Sequence, residues 1–198
     1  MAQEERKRYI HILRHGEALH NVIPNYSTPD PPLTERGKQQ ATSVSLNFKP
    51  DLIICSPLTR TIETMYNVLN ANASGSDLPI EIWPNVREAL HGKYNIGSTQ
   101  RELSKKFPAL DFSGCHEGWE GKTVSWDAAE ERAEEVLRAL RQREEEHILV
   151  VSHAVFIYLM TQSDDYFMNC ELRSYELDGE GELKEVAKNI DASLKTQR

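Results

Sequence analysis

Short apolar runs with β-branched residues alternate along this chain with longer amphipathic stretches, and this alternation constrains the fold more than any other feature. The apolar runs have the length of strands, and the stretches between them have the periodicity of helices. The predicted strands cover 9–13, 52–55, 80–83 and 147–151, and the predicted helices cover 33–48, 56–70, 98–107 and 126–146. Alternating strands and helices form a mainly parallel sheet with helices on both faces. The sequence therefore predicts a three-layer α/β/α sandwich with a mainly parallel central sheet.

Two of these helices begin with recognisable start signals. Thr34 is placed to cap the helix over 33–48, because a threonine hydroxyl can accept a hydrogen bond from the first helical turn. Ser56 followed by Pro57 predicts a helix start, with a capping hydroxyl and then proline at the first helical position.

Polar side chains follow several of the predicted strands. His15 comes after the first strand, Ser56 and Arg60 after the second, Glu88 after the third and His153 after the fourth. Ligands of open α/β sheets bind beyond the carboxyl ends of the strands. We therefore expect these residues to share one rim of the sheet.

Size and charge limit the classes of partner. The chain has 198 residues, a length that predicts one domain over 1–198, with a polar tail from about 187. Its net charge of −8 argues against nucleic acid or an anionic membrane as a partner. The charged opening lacks the apolar stretch of a signal peptide, and no apolar run approaches the roughly 20 residues of a membrane helix. We expect a soluble, cytoplasmic protein, and the sequence leaves its oligomeric state open.

The three cysteines lack the spacing of a disulfide framework or a zinc knuckle. Reduced thiols are the simplest interpretation, and Cys55 lies in an apolar run that predicts a core position. The cysteines are Cys55, Cys115 and Cys170.

Five ordered motifs carry a family resemblance. Leu13 to Glu17 read LRHGE and are followed by Asn21, and the later segments at 33–37, 56–64, 86–88 and 151–154 read LTERG, SPLTRTIET, VRE and VSHA. In this order they resemble the RHGE…N, LTxxG, SPLxRTxET, acidic and second-histidine motifs of the histidine phosphatase superfamily, which includes cofactor-dependent phosphoglycerate mutases. The resemblance covers about residues 9–160 and implies a single histidine phosphatase domain with a phosphoglycerate mutase-like fold.

The residue types suit phosphoryl transfer, which needs an aligned nucleophile and positive charge around the phosphoryl oxygens. A neutral histidine ring can attack near neutral pH without a strong base. Arg14 and Arg60 can each pair with two phosphate oxygens, and His153 can add a donor, especially if it is protonated. Glu88 is the candidate general acid, because the leaving alkoxide needs a proton.

The resemblance assigns the roles. It implies that His15 is the nucleophile, that Arg14, Arg60 and His153 form the phosphate pocket, and that Asn21 contributes to binding. The backbone N–H of Ala154, at the start of a helix, is expected to add an anion contact.

The remaining histidines and acids are assigned lesser roles. His20, His91 and His116 are expected at the pocket rim or the surface, His11 is expected to be structural, and His147 to mark a strand start. If Glu88 were not the acid, Glu17 and Glu117 would be the next candidates.

Two departures favour a phosphatase over a mutase. The mutase pattern has Arg and His directly after the acid, whereas this chain has Ala89 and Leu90, and 65 positions separate Glu88 from His153 without an evident long insertion. The resemblance therefore implies hydrolysis of a small phosphorylated metabolite through a phosphohistidine on His15, without a metal or cofactor. Ala154 argues against the acid-phosphatase branch, which has aspartate there. The segment 89–118 is expected to form a lid that determines specificity.

Three alternatives stay open. The chain could be a cofactor-dependent phosphoglycerate mutase or a non-catalytic relative that binds a phosphate ester, although the intact set of His15, Glu88 and His153 argues against the latter. A zinc hydrolase is a third possibility. The sequence lacks an HExxH or similarly spaced ligand set, which argues against it.

Overall fold

A computed structural model describes residues 7–73, 78–121, 125–178 and 182–189. The strands are β1 Arg8–Arg14, β2 Leu52–Cys55, β3 Ile80–Ile82, β4 His147–Ser152, β5 Leu172–Leu177 and β6 Leu183–Asn189. The helices are α1 Leu19–Val22, α2 Glu35–Thr42, α3 Thr59–Ala71, α4 Gln100–Lys106, α5 Trp126–Arg141 and α6 Ala154–Thr161. Two 3₁₀ turns, Pro84–Val86 and Lys93–Asn95, lie between β3 and α4. No helix in these ranges is long and apolar enough to cross a membrane.

The strands form one sheet in the order β3-β2-β4-β1-β5-β6. β1, β2, β3 and β4 pair in parallel, which brings their carboxyl ends to one edge. β5 pairs antiparallel with β1, and β6 pairs antiparallel with β5. The mainly parallel sheet is confirmed.

Helices cover both faces of the sheet, as predicted. On one face, α5 and α6 pack on alternate strand residues such as Ile10 and Ile12. On the other, α2, α3 and α4 pack on residues such as Ile53 and Leu149. Because neighbouring residues of a strand point to opposite faces, these apolar strands serve two cores, and the three-layer sandwich follows.

The helix over 33–48 is shorter than predicted. Thr34 caps α2 through its hydroxyl, which accepts a hydrogen bond from Gly37 N, but the helix ends at Thr42. The side chain of Asn72 then accepts from Leu46 N and donates to Val44 O. These contacts provide hydrogen-bond partners for backbone groups beyond α2, so the chain there does not need to continue as a helix.

The predicted start of the next helix at Ser56-Pro57 is wrong, because α3 begins at Thr59. The carboxylate of Asp30, from the proline-rich loop, accepts hydrogen bonds from Thr59 N and Thr59 Oγ1, each at 2.8 Å. A side chain distant in sequence therefore provides the cap, and Ser56 is left for another contact.

Helix α5 ends at Arg141, earlier than the predicted 146. Arg8 Nη1 donates to the carbonyl oxygens of Arg141 and Arg143, at 2.6 and 3.0 Å. These contacts satisfy carbonyl groups at the helix end.

The antiparallel pair β5 and β6 was not predicted. β6 includes residues 187–189, where the polar tail is predicted to begin, and 190–198 lie outside the described residues.

Candidate active site

Three of the predicted site residues lie at the carboxyl ends of β1 and β4, and a fourth, Arg60 of α3, lies close to them. Arg14 ends β1 and His15 follows it, while His153 follows β4. The parallel register pairs Arg14 with Ser152, which brings the two histidines side by side, and their ring centroids are 5.2 Å apart. Arg60, in the first turn of α3, is close enough to both rings to lower their pKa. We call Arg14, His15, Arg60, Glu88 and His153 the histidine–arginine pocket.

His15 is buried and has a defined orientation. Its Nδ1 lies 2.7 Å from the carbonyl oxygen of Gly16, and the ring nitrogen must be the donor because a carbonyl oxygen only accepts. In the neutral ring, Nε2 then carries a lone pair. Burial, followed by the charges of Arg60 and Arg14, lowers the pKa of His15 well below its ordinary value. The ring is therefore neutral at neutral pH, with Nε2 unprotonated.

The turn after β1 depends on Gly16. A Cβ atom at this position would lie 2.6 Å from the carbonyl oxygen of Gly37, so a larger residue would displace α2. Gly16 N donates to Thr64 Oγ1, and Asn169 Nδ2 donates to the carbonyl oxygen of His15, both at 3.0 Å. The backbone that carries His15 is thus held from several elements.

The two arginines are held by neighbouring acceptors. Arg14 Nη1 donates to Phe167 O at 2.6 Å, while Arg60 donates from Nη1 to Tyr94 O at 3.1 Å and from Nη2 to Asn95 Oδ1 at 2.7 Å. The Nε atoms of both arginines are buried and have no hydrogen-bond partner in the described part of the chain. Burial lowers the pKa of both arginines, that of Arg60 to about 10, so both stay charged at neutral pH. Each therefore has N–H groups available for an anion.

One ring nitrogen of the second histidine, His153, contacts Ser56. Ser56 Oγ accepts from Leu58 N at 3.4 Å and lies 2.9 Å from His153 Nε2. If the hydroxyl donates to Nε2, the hydrogen of the neutral ring is on Nδ1, which is buried and has no partner among the described residues. Burial and then Arg60 lower the pKa of His153 well below its ordinary value. The ring is therefore neutral at neutral pH, and any hydrogen bond that it donates comes from a neutral N–H, not from the imidazolium considered above.

Glu88 follows the 3₁₀ turn Pro84–Val86 and caps helix α6. Its Oε1 accepts hydrogen bonds from Phe156 N at 3.1 Å and from Ala89 N at 2.7 Å. Phe156 lies in the first turn of α6, where backbone N–H groups have no partner within the helix.

Glu88 is also near both arginines of the pocket. Its charge raises the pKa of Arg14 and of Arg60, partly opposing the larger effect of burial. The pocket therefore contains a neutral imidazole, two guanidinium groups and one carboxyl group within interaction distance of one another.

His20 lies at the mouth of the pocket, as expected of a rim residue. Its ring stacks on Tyr94 with centroids 4.8 Å apart, and its centroid is 5.7 Å from that of His15. Burial, followed by Arg60 and Arg14, lowers the pKa of His20 to about 3.

Asn21 and Ala154 occupy helix starts. Asn21 is exposed, and its Oδ1 accepts from Ala18 N at 2.9 Å within the turn that forms α1. Ala154 is the first residue of α6. The contribution of each to substrate binding stays a prediction.

The alternative acids lie elsewhere. Glu17 Oε1 accepts from Thr34 Oγ1 at 2.7 Å and so supports the start of α2. Glu117 and His116 line a separate cleft of about 550 Å³ beside the edge strand β3. His91 lines a small recess of about 40 Å³ that also includes Glu88.

The predicted lid, 89–118, divides into two parts. Tyr94 and Asn95 contact Arg60 directly, whereas Phe112 and Cys115 are buried in the core. The first part of the segment therefore contacts the pocket, and its role as a lid that determines specificity stays a prediction.

Several contacts in and around the pocket were missed by sequence reasoning. The SPLxRTxET motif includes Ser56, but only the fold shows that its hydroxyl meets His153. No local signal marks Asn95, or Arg132 in α5, which is considered below. Across the ranges that the structure describes, no group of three or more His, Cys, Asp or Glu side chains is placed to hold a metal ion.

Comparisons with known proteins identify a family and several similar proteins. The family model described as histidine phosphatase superfamily (branch 1) matches residues 10–178. A probable phosphatase of Schizosaccharomyces pombe is 29% identical over 59% of this chain, and the match spans only 57% of that protein. A phosphoglycerate mutase-like protein of Arabidopsis thaliana is 27% identical, covering 90% of this chain and 87% of the relative. The structure of the alpha-ribazole phosphatase of Shigella flexneri has a TM-score of 0.63 at 23% identity, covering 92% of this chain and 96% of that one.

Proposed function

The chain belongs to the histidine phosphatase superfamily, and from this premise we propose that it hydrolyses a small phosphomonoester through a phosphohistidine on His15. The observation that carries the proposal is the neutral His15 ring, whose Nδ1 donates to Gly16 O and whose Nε2 has no hydrogen bond to a described residue. Beside it lie the Nε groups of Arg14 and Arg60, which likewise have no partner among those residues. The relatives named as phosphatases support the same class of reaction.

In the first step, Nε2 of His15 attacks phosphorus and the bond from phosphorus to the ester oxygen breaks. The N–H groups of Arg14 and Arg60, with the Nδ1–H of His153, bind the phosphoryl oxygens. Glu88 in its protonated form transfers its proton to the departing oxygen. The hydrogen bonds that this carboxyl group accepts from Ala89 N and Phe156 N both end on Oε1, and we assign proton transfer to Oε2.

In the second step, water attacks the phosphohistidine. Glu88 takes a proton from the water, the bond from phosphorus to Nε2 breaks, and inorganic phosphate leaves. His15 returns to its neutral form and Glu88 to its protonated form, so the cycle closes without a net proton change on the enzyme.

The leaving group is expected to lie in the recess beside Glu88. The walls of this recess combine apolar side chains, Leu90 and Ile96, with polar ones, His91 and Asn95. The recess has a small volume, about 40 Å³, and its lining includes Glu88, the proposed acid. We therefore propose a compact alcohol as the leaving group.

The positive charge in this mechanism comes from side chains, and we propose that catalysis needs no metal. The test is hydrolysis of an aryl phosphate by the intact chain and by His15→Ala, each with and without EDTA. We expect EDTA to leave the rate of the intact chain unchanged and His15→Ala to abolish activity without changing the thermal melting temperature. Activity retained by the folded His15→Ala variant would overturn the nucleophile assignment, and a loss on chelation that zinc or magnesium restores would overturn metal independence.

A further inference from the structure

Helix α5 carries a buried arginine whose hydrogen bonds to the described residues all go to backbone carbonyl groups. Arg132 Nη1 donates to Asn85 O at 2.9 Å and to Arg87 O at 2.7 Å, and its Nη2 donates to Glu88 O at 3.3 Å. Arg132 is 5% exposed, and it has no ion pair with a carboxylate of the described residues. All three acceptors belong to the segment that carries Glu88.

The same guanidinium also contacts the residue that binds the Glu88 carboxylate. Arg132 Cζ lies 4.4 Å from the centroid of the Phe156 ring, a cation–π contact. The backbone N–H of Phe156 is the group that donates to Glu88 Oε1 at 3.1 Å. Arg132 therefore connects the main chain of Glu88 with the helix turn that orients its side chain.

The segment before Glu88 is held along its length. Ser152 Oγ donates to Val86 O at 2.7 Å, so side chains bind the carbonyl groups of four consecutive residues, 85–88. The segment lies outside strands and α-helices, and these side-chain hydrogen bonds hold its backbone in place.

Stability alone is a weak reason for this arrangement. Burying a guanidinium without an ion pair to a carboxylate carries a large desolvation cost, which the charges of Glu88 and Glu135 offset only in part. An apolar side chain of similar size could pack on Phe156 without that cost. What an apolar side chain could not do is donate three hydrogen bonds to the backbone around Glu88.

We propose that Arg132 is a positioning residue for Glu88, which fixes the carboxyl group at the place where it meets the leaving oxygen. This inference rests on the proposed role of Glu88 as the general acid. Loss of Arg132 should then impair proton transfer and leave phosphoryl binding by Arg14, Arg60 and His153 largely intact.

The experiment compares an alkyl phosphate with an activated aryl phosphate, whose leaving group departs with little help from an acid. For Arg132→Met we expect kcat for the alkyl ester to fall about 10²-fold, because misplacing a reacting group by about 1 Å can have an effect of this size. KM for the alkyl ester and the rate for the aryl ester should change little. Arg132→Lys should recover part of the alkyl rate. Arg138→Met is the matched control, because Arg138 is exposed on the same helix and should give rates equal to those of the intact chain.

A second variant covers the case in which Arg132→Met does not fold. Ser152→Ala removes the hydrogen bond to Val86 O and should show a smaller loss with the same preference for the alkyl ester. A loss shared equally by both esters in the folded variants, or no loss at all, would overturn the positioning role.

Glu88→Gln separates failure of this inference from failure of the proposed acid. When Glu88→Gln is already present, Arg132→Met should cause no further selective loss, because both changes act on the same proton transfer. If Glu88→Gln slows both esters equally, the acid assignment fails. If Glu88→Gln is selective for the alkyl ester but Arg132→Met is not, only the role of Arg132 fails.

Discussion

At the scale of single residues, the pocket uses histidine as a neutral ring with its hydrogens fixed by neighbours. Gly16 O holds the hydrogen of His15 on Nδ1, and a Ser56 hydroxyl that donates to His153 Nε2 would hold the hydrogen of that ring on its own Nδ1. One ring thus offers a lone pair and the other an N–H. Burial makes this possible, because it lowers the pKa of both rings well below the ordinary value.

Glu88 gives the sharpest prediction at this scale. As the general acid, it should be needed most where the leaving group is poor, so Glu88→Gln should slow alkyl ester hydrolysis about 10²- to 10⁴-fold and aryl ester hydrolysis far less. The measurement is kcat/KM for both esters. Glu117→Gln, in the separate cleft beside β3, is the control and should leave both values unchanged. Equal losses for the two esters in Glu88→Gln would mean that the proton comes from elsewhere.

The motifs predicted most of the pocket at this scale, since Arg14, His15, Arg60, Glu88 and His153 do come together. The motifs could not predict the partners of these residues. The contacts of Ser56 with His153 and of Asn95 with Arg60 join residues 97 and 35 positions apart, and they exist only once the chain has folded.

At the scale of elements, the start of helix α3 shows how a loop supports the pocket. Asp30 binds Thr59 at the first turn of α3 and also accepts from Ser98 Oγ at 2.6 Å. The next residue after Thr59 is Arg60, so the cap also fixes the position of a phosphate-binding candidate. Asp30 has a φ of +47°, in the left-handed region.

This arrangement predicts a stability effect of Asp30→Gly. Glycine avoids the backbone strain that alanine would add at positive φ, so the change isolates the lost hydrogen bonds. Because buried partners are left unsatisfied, the free energy of unfolding should fall about 1–3 kcal/mol more than in Asp164→Gly, a control at an exposed aspartate. Urea denaturation measures both. Equal losses in the two variants would show that the cap contributes nothing specific.

The same cap explains an error in the predicted helix starts. Ser56-Pro57 has the local pattern of a helix start, but the carboxylate of Asp30 provides the cap three residues later.

Strands β5 and β6 were missed for a related reason. Their charged residues give no clear apolar run, and β5 buries Arg173 by pairing it with Glu171 at 2.6 Å. Tertiary contacts determine both features, and local propensity does not reveal them.

At the scale of the whole molecule, buried histidines link stability to pH. His11 lies in β1, where its Nδ1 contacts Ser174 Oγ at 2.7 Å and its Nε2 contacts His147 Nδ1 at 3.0 Å. Burial, and then the charge of His147, lowers the pKa of His11 to about 3. The unfolded chain has a histidine pKa near 6.5, so between pH 6.5 and about 3 it binds a proton that the folded chain does not.

The stability from His11 should be fully present above pH 6.5 and should be lost as the pH falls towards 3. For this one group the loss is on the order of a few kcal/mol. The free energy of unfolding of His11→Asn should therefore decline less steeply over this range than that of the intact chain, by up to about 1.4 kcal/mol per pH unit. Carboxyl groups that titrate in the same range contribute equally to both chains, so their contribution cancels in the difference between the two free energies of unfolding. Parallel curves would contradict the burial effect.

The most direct test of the account is to trap the intermediate. The intact chain is mixed with a phosphomonoester that it hydrolyses, denatured at alkaline pH within the first turnovers, digested and examined by mass spectrometry. The account predicts one added phosphoryl group on the peptide that contains His15, localised to that residue, and none on this peptide in His15→Ala. A phosphoryl group on a different residue, or rapid turnover with no phosphorylated peptide at any quench time, would contradict it.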